Sequence, residues 1–272
     1  MPELPEVQTL ASQLNRLLEG REIEGAEILN GTLLETPRQE LEKNILGKKI
    51  IRVLRRGKYL RIDLSEGWTL WFHLGMTGQL LLRLVSEALA PHTHFLLSFA
   101  GSNEQLLFRD VRRFGTIAFT PTAEDAFPRG VQNLGPEPEE WDPEAFATLF
   151  KTRRGRIKSL LLNQTLVAGL GNIYSDESLY RAGIRPLERA HRIARRRLER
   201  LHGAVCEVLE EALQWGGSSI DDYLHADGTR GRFQEFHQVY GRGGEACRAC
   251  GTKIRTVKLA GRTSSYCPRC QK

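Results

Sequence analysis

Four of the five cysteines lie in the last 26 residues, as Cys247-x2-Cys250 and Cys267-x2-Cys270 with 16 residues between the pairs. Each pair can turn two sulfurs toward one ion, and four thiolates close a tetrahedral zinc site with no position left for water. The spacing therefore predicts one structural Zn(2+); two reactive or disulfide-linked pairs are the other reading. Lys253, Arg255, Lys258 and Arg262 fall between the pairs, where a β-hairpin is expected. A metal-stapled hairpin carrying cations suits phosphate.

The opposite end offers a nucleophile. Removal of Met1 from MPELPEV would bare the secondary amine of Pro2. An α-amino group with pKa near ~8 is partly free base at neutral pH, and such an amine can attack a sugar C1′ or a carbonyl to form an iminium ion. Glu3 adjoins it and Glu6 lies one turn on, so carboxylates stand ready for proton transfer. Acids in a first helical turn also simply favour the helix dipole.

Two weaker signals point to an anion. Gly169-Leu170-Gly171-Asn172 lies between two expected helices, so the second helix could offer free N–H groups to a phosphate, or the glycines could make an ordinary turn. Arg55-Arg56-Gly57-Lys58-Tyr59, His73-Leu74-Gly75-Met76 and Arg112-Arg113-Phe114-Gly115 combine cations with apolar side chains at turn tips. Met76 and Phe114 read either as core or as wedges entering a base stack.

These residues need elements to hold them. Apolar positions Val7, Leu10, Leu14, Leu17 and Leu18 predict a helix over Glu3–Glu19, with Pro2 at its start and Gly20 past its end. A short helix is expected from Thr36-Pro37 to about Asn44. From Gly25 to Thr120, short alternating runs separated by turn residues predict an antiparallel sandwich or barrel. Asp142-Pro143 reads as a helix start. Helices are expected at about 143–151, 156–163, 172–181 and 187–214, the last with the stripe Ala194, Leu198, Leu201, Val205, Leu209, Leu213.

The chain has 272 residues, enough for about two domains plus a small module. With 40% hydrophobic residues it reads as globular, and no apolar run approaches the ~18 residues that span a bilayer. The acidic, proline-rich start lacks the pattern of a secretory signal, so the expected location is cytoplasmic, associated with the nucleoid. Net charge is +6 and unevenly spread. Lys151–Arg200 holds 13 Lys/Arg against 4 acids, Gly241–Lys272 holds 8 against 1, and Pro121–Phe150 reverses the balance with 7 acids and one Arg. Two basic blocks predict a polyanionic partner.

Taken together, these residues resemble the formamidopyrimidine-DNA glycosylase family (Fpg/MutM, the bacterial 8-oxoguanine DNA glycosylases) along nearly the whole chain. The likeness is carried by MPELPEV, RRGKYL at Arg55–Leu60, HLGMTG at His73–Gly78, RRFG at Arg112–Gly115, LGPEP at Leu134–Pro138, VAGLGNIYSDE at Val167–Glu177, VYGRGGEAC at Val239–Cys247 and the closing AGRTSSYCPRCQK.

The resemblance implies an α+β fold. A β-sandwich catalytic domain (1–130) would carry the terminal helix, followed by a helix-two-turn-helix domain with a base-capping loop (131–240) and a zinc-finger module (241–272). It implies a monomer that binds double-stranded DNA containing oxidised bases, with DNA in the cleft between the two main domains. The enzyme would remove oxidised purines and cleave the strand by β,δ-elimination without a redox or organic cofactor. Pro2 would be the nucleophile on C1′, Glu3 the acid/base, Glu6 its support. Lys58, His73, Asn172 and Arg262 would hold phosphates, with Lys58 closest to the chemistry. Met76, Arg112 and Phe114 would fill the gap left by the extruded base. One departure concerns the capping loop, about Ser218–Gln234, whose tip Ile220-Asp221-Asp222-Tyr223 is acidic where a basic residue is expected. The sister activity, endonuclease VIII on oxidised pyrimidines, and a non-enzymatic zinc-ribbon DNA binder are the competing classes; the opening motif, Met76 and RRFG favour the purine enzyme.

Overall fold

The computed structural model describes residues 1–122, 126–220 and 223–272. The chain divides into two compact units, one of Met1–Gln132 with Trp215–Arg232, the other of Asn133–Gln214 with Phe233–Lys272.

The first unit opens with helix α1 (Leu4–Leu18). Its predicted apolar face is buried at Val7, Leu10, Leu14 and Leu18, whereas Leu17 is exposed. The proline of the first turn is Pro5, not Pro2; Pro2 precedes the extended cap residue Glu3 and is buried. Strand β1 (Ile23–Ile28) and helix α2 (Arg38–Asn44) lead into β2 (Ile50–Arg56), β3 (Tyr59–Leu64), β4 (Trp68–His73), β5 (Gly78–Leu84), β6 (Thr93–Phe99), β7 (Glu104–Asp110) and β8 (Thr116–Pro121), and the short helix α3 (Arg129–Gln132) follows.

These strands form two four-stranded antiparallel sheets, ordered β1-β6-β7-β5 and β2-β3-β4-β8. Alternation supplies their inner faces: Leu60, Ile62, Leu70 and Phe72 from one sheet meet Leu80, Phe95, Leu97 and Phe108 from the other in one core, which Val7, Leu10 and Leu14 of α1 complete. Of the sandwich or barrel expected from the strand pattern, the sandwich is present. Asp63, which alternation would turn outward, is buried because Arg52 and Arg61 bond its two oxygens at 2.8 and 2.5 Å.

Trp215–Arg232, counted above with the helical segment 131–240, packs into this unit. Its ends meet where Arg232 N donates to Trp215 O at 2.9 Å, and Leu82 N donates to Ala226 O at 3.1 Å, adding a bond to the edge strand β5.

The second unit contains α4 (Pro143–Lys151), α5 (Ile157–Leu161), α6 (Asn172–Arg181) and α7 (Arg195–Gln214). Asp142 caps α4 by accepting from Glu144 N and Ala145 N. The last helix begins eight residues later than its apolar pattern suggests. Glu188–His191 instead bonds back to the chain before α5, through Ile157 N to Glu188 O and Ala190 N to Gly155 O. Ala194 thus lies outside the helix, and burial follows Leu198, Leu201, Val205, Val208 and Ala212 rather than reaching Leu213. Strands β9 (Arg255–Leu259) and β10 (Arg262–Tyr266) form the expected hairpin around a left-handed Ala260-Gly261 turn. Among the described residues no helix is long and apolar enough to cross a membrane.

Candidate active site and metal centre

In the first unit, the start of α1 is held by a reciprocal capping box between Glu3 and Glu6. Glu3 N donates to Glu6 Oε2 at 2.7 Å, and Ser218 N donates to Glu6 Oε1 at 2.8 Å. The Tyr223 hydroxyl donates to the Glu6 carbonyl at 2.8 Å. Both carboxylates and Tyr223 are buried. Burial, with the Glu6 carboxylate nearby, pushes the Tyr223 phenol well above its ordinary range, so it remains a donor at every working pH. Gly217 sits at φ +79°, and a Cβ there would come within 2.6 Å of Glu6 Oε1. The loop base can approach the carboxylate only because that position has no side chain. Asp221 and Asp222, the acidic tip noted in the sequence, lie outside the described residues.

The turn between β2 and β3 carries Lys58, which is buried. Arg55 Nε donates to Gln8 Oε1 at 3.0 Å, fastening this end of β2 to α1. His73 ends β4 opposite Tyr59, and their rings lie 4.6 Å apart. Burial, and then the charge of Lys58, lower the His73 pKa to about 4. The imidazole is thus neutral at pH 7, with Nδ1 placed to accept from Gly75 N at 3.3 Å. A phosphate at His73 would meet a neutral N–H donor beside the Lys58 cation.

Met76 and Phe114 are not core. They are 40% and 55% exposed, on neighbouring turns. Gly75 at φ +58° touches the other turn so closely that a Cβ would lie 2.6 Å from Gly115 N. The Arg112 guanidinium stacks over the Phe114 ring at 4.7 Å. Asp110, fully buried at the end of β7, ties both turns together. Its carboxylate accepts from Thr77 Oγ1, from Arg112 N at 3.2 Å and from Gly115 N at 2.7 Å. These bonds offset the left-handed Arg113 (φ 58°) within the second turn.

In the second unit, Gly169 takes φ +93° and Asn172 opens α6. Asn172 Nδ2 donates to Thr263 O at 3.0 Å, so Asn172 meets the hairpin at the residue following Arg262, which is exposed. The Asn172 Oδ1 is buried without a partner.

The four cysteines converge within 4.8 Å of one another, with Sγ–Sγ distances of 3.9 Å for Cys247–Cys270 and 3.5 Å for Cys250–Cys267. Zinc–sulfur bonds of ~2.3 Å in a tetrahedron require sulfurs roughly 3.8 Å apart. The donor set fits the ion, and Tyr180 Oη lies 3.5 Å from Cys247 Sγ.

Three buried carboxylates that fix these parts, Asp110, Asp176 and Glu177, are not among the residues the sequence singles out. Asp176 Oδ1 sits 2.7 Å from Lys158 Nζ and accepts from Ser264 Oγ at 2.6 Å; Oδ2 accepts from Ser265 N at 2.9 Å. Glu177 accepts from the backbone N–H groups of Gln238, Val239 and Tyr240 at 2.8–2.9 Å. Two adjacent acids in the middle of a helix were the available signal. For Asp110 it was a carboxylate ending a strand beside two arginines.

Residues 1–117 match the formamidopyrimidine-DNA glycosylase N-terminal domain, 134–223 the H2TH domain of the same enzymes, and 244–272 a zinc finger found in FPG and IleRS. The chain is similar to the formamidopyrimidine-DNA glycosylases of Solibacter usitatus (46% identical, 100% of both chains) and Pelotomaculum thermopropionicum (43%, 100% of this chain and 99% of the relative). Among solved structures it is similar to Lactococcus lactis Fpg in complex with an abasic-site DNA (TM-score 0.93, 38% identity, 99% of each chain). It is also similar to MutM in complex with a carbocyclic 8-oxo-G DNA (TM-score 0.92, 37%, 100% of each).

Proposed function

Because the chain belongs to the formamidopyrimidine-DNA glycosylase family, we propose that it is a base-excision repair enzyme that removes 8-oxoguanine and formamidopyrimidines from double-stranded DNA and then cleaves the strand as an AP lyase. The Pro2 nitrogen, bared by loss of Met1, attacks C1′ of the damaged nucleoside. The C1′–base bond breaks, the base leaves with a proton, and an iminium ion joins Pro2 to the opened sugar. Glu3 moves the proton that ring opening requires. The iminium acidifies the C2′ proton, whose loss expels the 3′ phosphate; a second elimination expels the 5′ phosphate.

One observation carries this reading: the buried Pro2 immediately precedes a cap in which Glu6 holds Glu3 N at 2.7 Å. A nucleophile so placed reacts in a fixed geometry. Lys58, His73, Asn172 and Arg262 bind phosphates around the extruded nucleotide. Met76, Arg112 and Phe114 occupy the vacated stack, offsetting a flipping cost of a few kcal/mol. Cys247, Cys250, Cys267 and Cys270 hold one zinc ion that stabilises the hairpin and takes no part in the chemistry. No redox or organic cofactor enters. The enzyme acts as a monomer in the cytoplasm, on nucleoid DNA.

Borohydride trapping on an 8-oxoguanine duplex, followed by mapping of the modified residue, tests the proposal. A covalent adduct through Pro2 is expected, with faster excision opposite C from 8-oxoguanine than from thymine glycol. No adduct with any damaged duplex, or full activity with Met1 retained, would overturn it.

A further inference from the structure

The basic block Lys151–Arg200 is only slightly used by the site above, and the fold gathers part of it into one surface. The chain before α5 and the chain before α7 run antiparallel, bridged at Arg156 and Arg189. Ala190 N donates to Gly155 O at 3.0 Å and His191 N to Arg153 O at 3.1 Å. Lys151 Nζ closes the end of this ladder by donating to His191 O and Ile193 O at 2.8 and 2.9 Å. Arg154 and Arg156 on one of the paired segments and Arg189 and Arg192 on the other are all exposed.

Three other arginines of this unit are paired with carboxylates. Arg181 pairs with Glu211 at 2.7 Å, Arg195 with Glu199 at 3.2 Å, and Arg197 with Glu188 at 2.9 Å. Among the described residues, Arg154, Arg156, Arg189 and Arg192 have no carboxylate partner. Glu188, the acid nearest in sequence, is committed to Arg197. The convergence of charge is felt by the central imidazole: partial burial, then Arg192, Arg154, Arg189 and Lys151, lower the His191 pKa. Clustered like charges repel one another in the free protein, and a ligand that relieves the repulsion must carry closely spaced negative charge.

We infer that the ladder of 153–156 and 189–192 is a second DNA-binding surface, which grips the phosphodiester backbone of undamaged duplex. Duplex DNA presents one charge per ~1.7 Å of axis, and exposed guanidinium groups bind its phosphates without reading sequence. The surface holds no aromatic wedge, so it binds DNA without flipping a base. Its role is to keep the enzyme on the duplex between lesions. The inference rests on the proposed function, which makes DNA the polyanion this chain meets.

The test compares the full-length, zinc-loaded enzyme with the Arg154→Ala/Arg189→Ala/Arg192→Ala variant. Anisotropy measures binding to an undamaged duplex of about 30 base pairs across a salt series. At ~0.9 per phosphate contact, the slope of log K against log salt should fall by about two to three. Affinity at low salt should drop at least about tenfold, while single-turnover excision from a saturating 8-oxoguanine duplex is unchanged. The triple Arg→Lys variant should retain the slope, and Arg195→Ala, whose charge is already paired, should leave it alone. Should the triple variant misfold, Arg192→Ala by itself should lower the slope by about one. An unchanged slope in an excision-competent variant overturns the inference. So does loss of binding to polyglutamate with duplex binding intact, which would assign the surface to an acidic polypeptide. Absence of a trapped adduct in the parent, with undamaged-duplex binding normal, would overturn the proposed function and not this surface.

Discussion

Ser218 N–H donates to Glu6 Oε1 at 2.8 Å, joining residues 212 positions apart in the chain. The other oxygen of the same carboxylate accepts from Glu3 N. One buried side chain therefore aligns the start of α1 and the base of the loop that follows α7, and both its oxygens face N–H donors.

Glu6→Gln preserves shape but must turn its NH2 toward one of those donors. A buried N–H left unpaired costs about 1–3 kcal/mol. The variant should melt several degrees lower and form the borohydride adduct at least about tenfold more slowly. Thermal unfolding and single-turnover trapping measure the two effects; wild-type trapping kinetics would contradict the positioning role.

Met76→Ala and Phe114→Ala separate wedge from core. Both side chains are exposed, so each change should alter unfolding free energy by no more than about 0.5 kcal/mol. Excision from duplex should slow at least about tenfold, and excision opposite a gap or mismatch less, because the base there is already unstacked. A loss of 3 kcal/mol or more in denaturant titration would return these residues to the core.

His73 gives a pH dependence with a definite sign. Its folded pKa of about 4 lies below the unfolded value near 6.5, so the unfolded chain binds the proton more tightly. Its contribution to stability is complete above about pH 6.5 and is lost as pH falls toward 4, by up to roughly 3 kcal/mol. Proton NMR should find the imidazole neutral at pH 6. In Lys58→Gln the midpoint should rise, since a repelling cation has gone. A His73 midpoint near 6.5 in the parent protein would refute the burial argument.

Cys247→Ser removes one corner of the sulfur cluster. Zinc content by atomic absorption should fall from about one per chain to near zero, and DNA affinity should drop at least about tenfold. The first unit, whose core contains no cysteine, should keep its thermal transition. Unchanged affinity in zinc-free protein would remove the hairpin from DNA binding.

Much of this was legible in the chain. The CxxC pairs determined the metal cluster because ligand spacing is local. Period-two runs marked an antiparallel sandwich or barrel and the 3.6 period determined α1, because each buries one face. The motifs named Pro2, Glu3, Lys58, His73 and Asn172. Periodicity also misled. It extended α7 back to residue 187, because apolar spacing does not register that Glu188 and Ala190 bond more favourably to the chain before α5.

Tertiary structure alone decided the rest. It made Met76 and Phe114 exposed rather than core, since the two turn tips are held as neighbours by a buried Asp110 that accepts the Thr77 hydroxyl from one turn and the Arg112 and Gly115 N–H groups from the other. It assigned Trp215–Arg232 to the first unit, since Glu6 and Gln13 receive its backbone N–H groups across more than 200 residues. It turned a diffuse run of arginines into a defined surface by pairing 153–156 with 189–192. Local sequence sets helix, strand and ligand spacing. Which buried carboxylate receives which distant N–H depends on desolvation, and that exists only after the chain has closed over it.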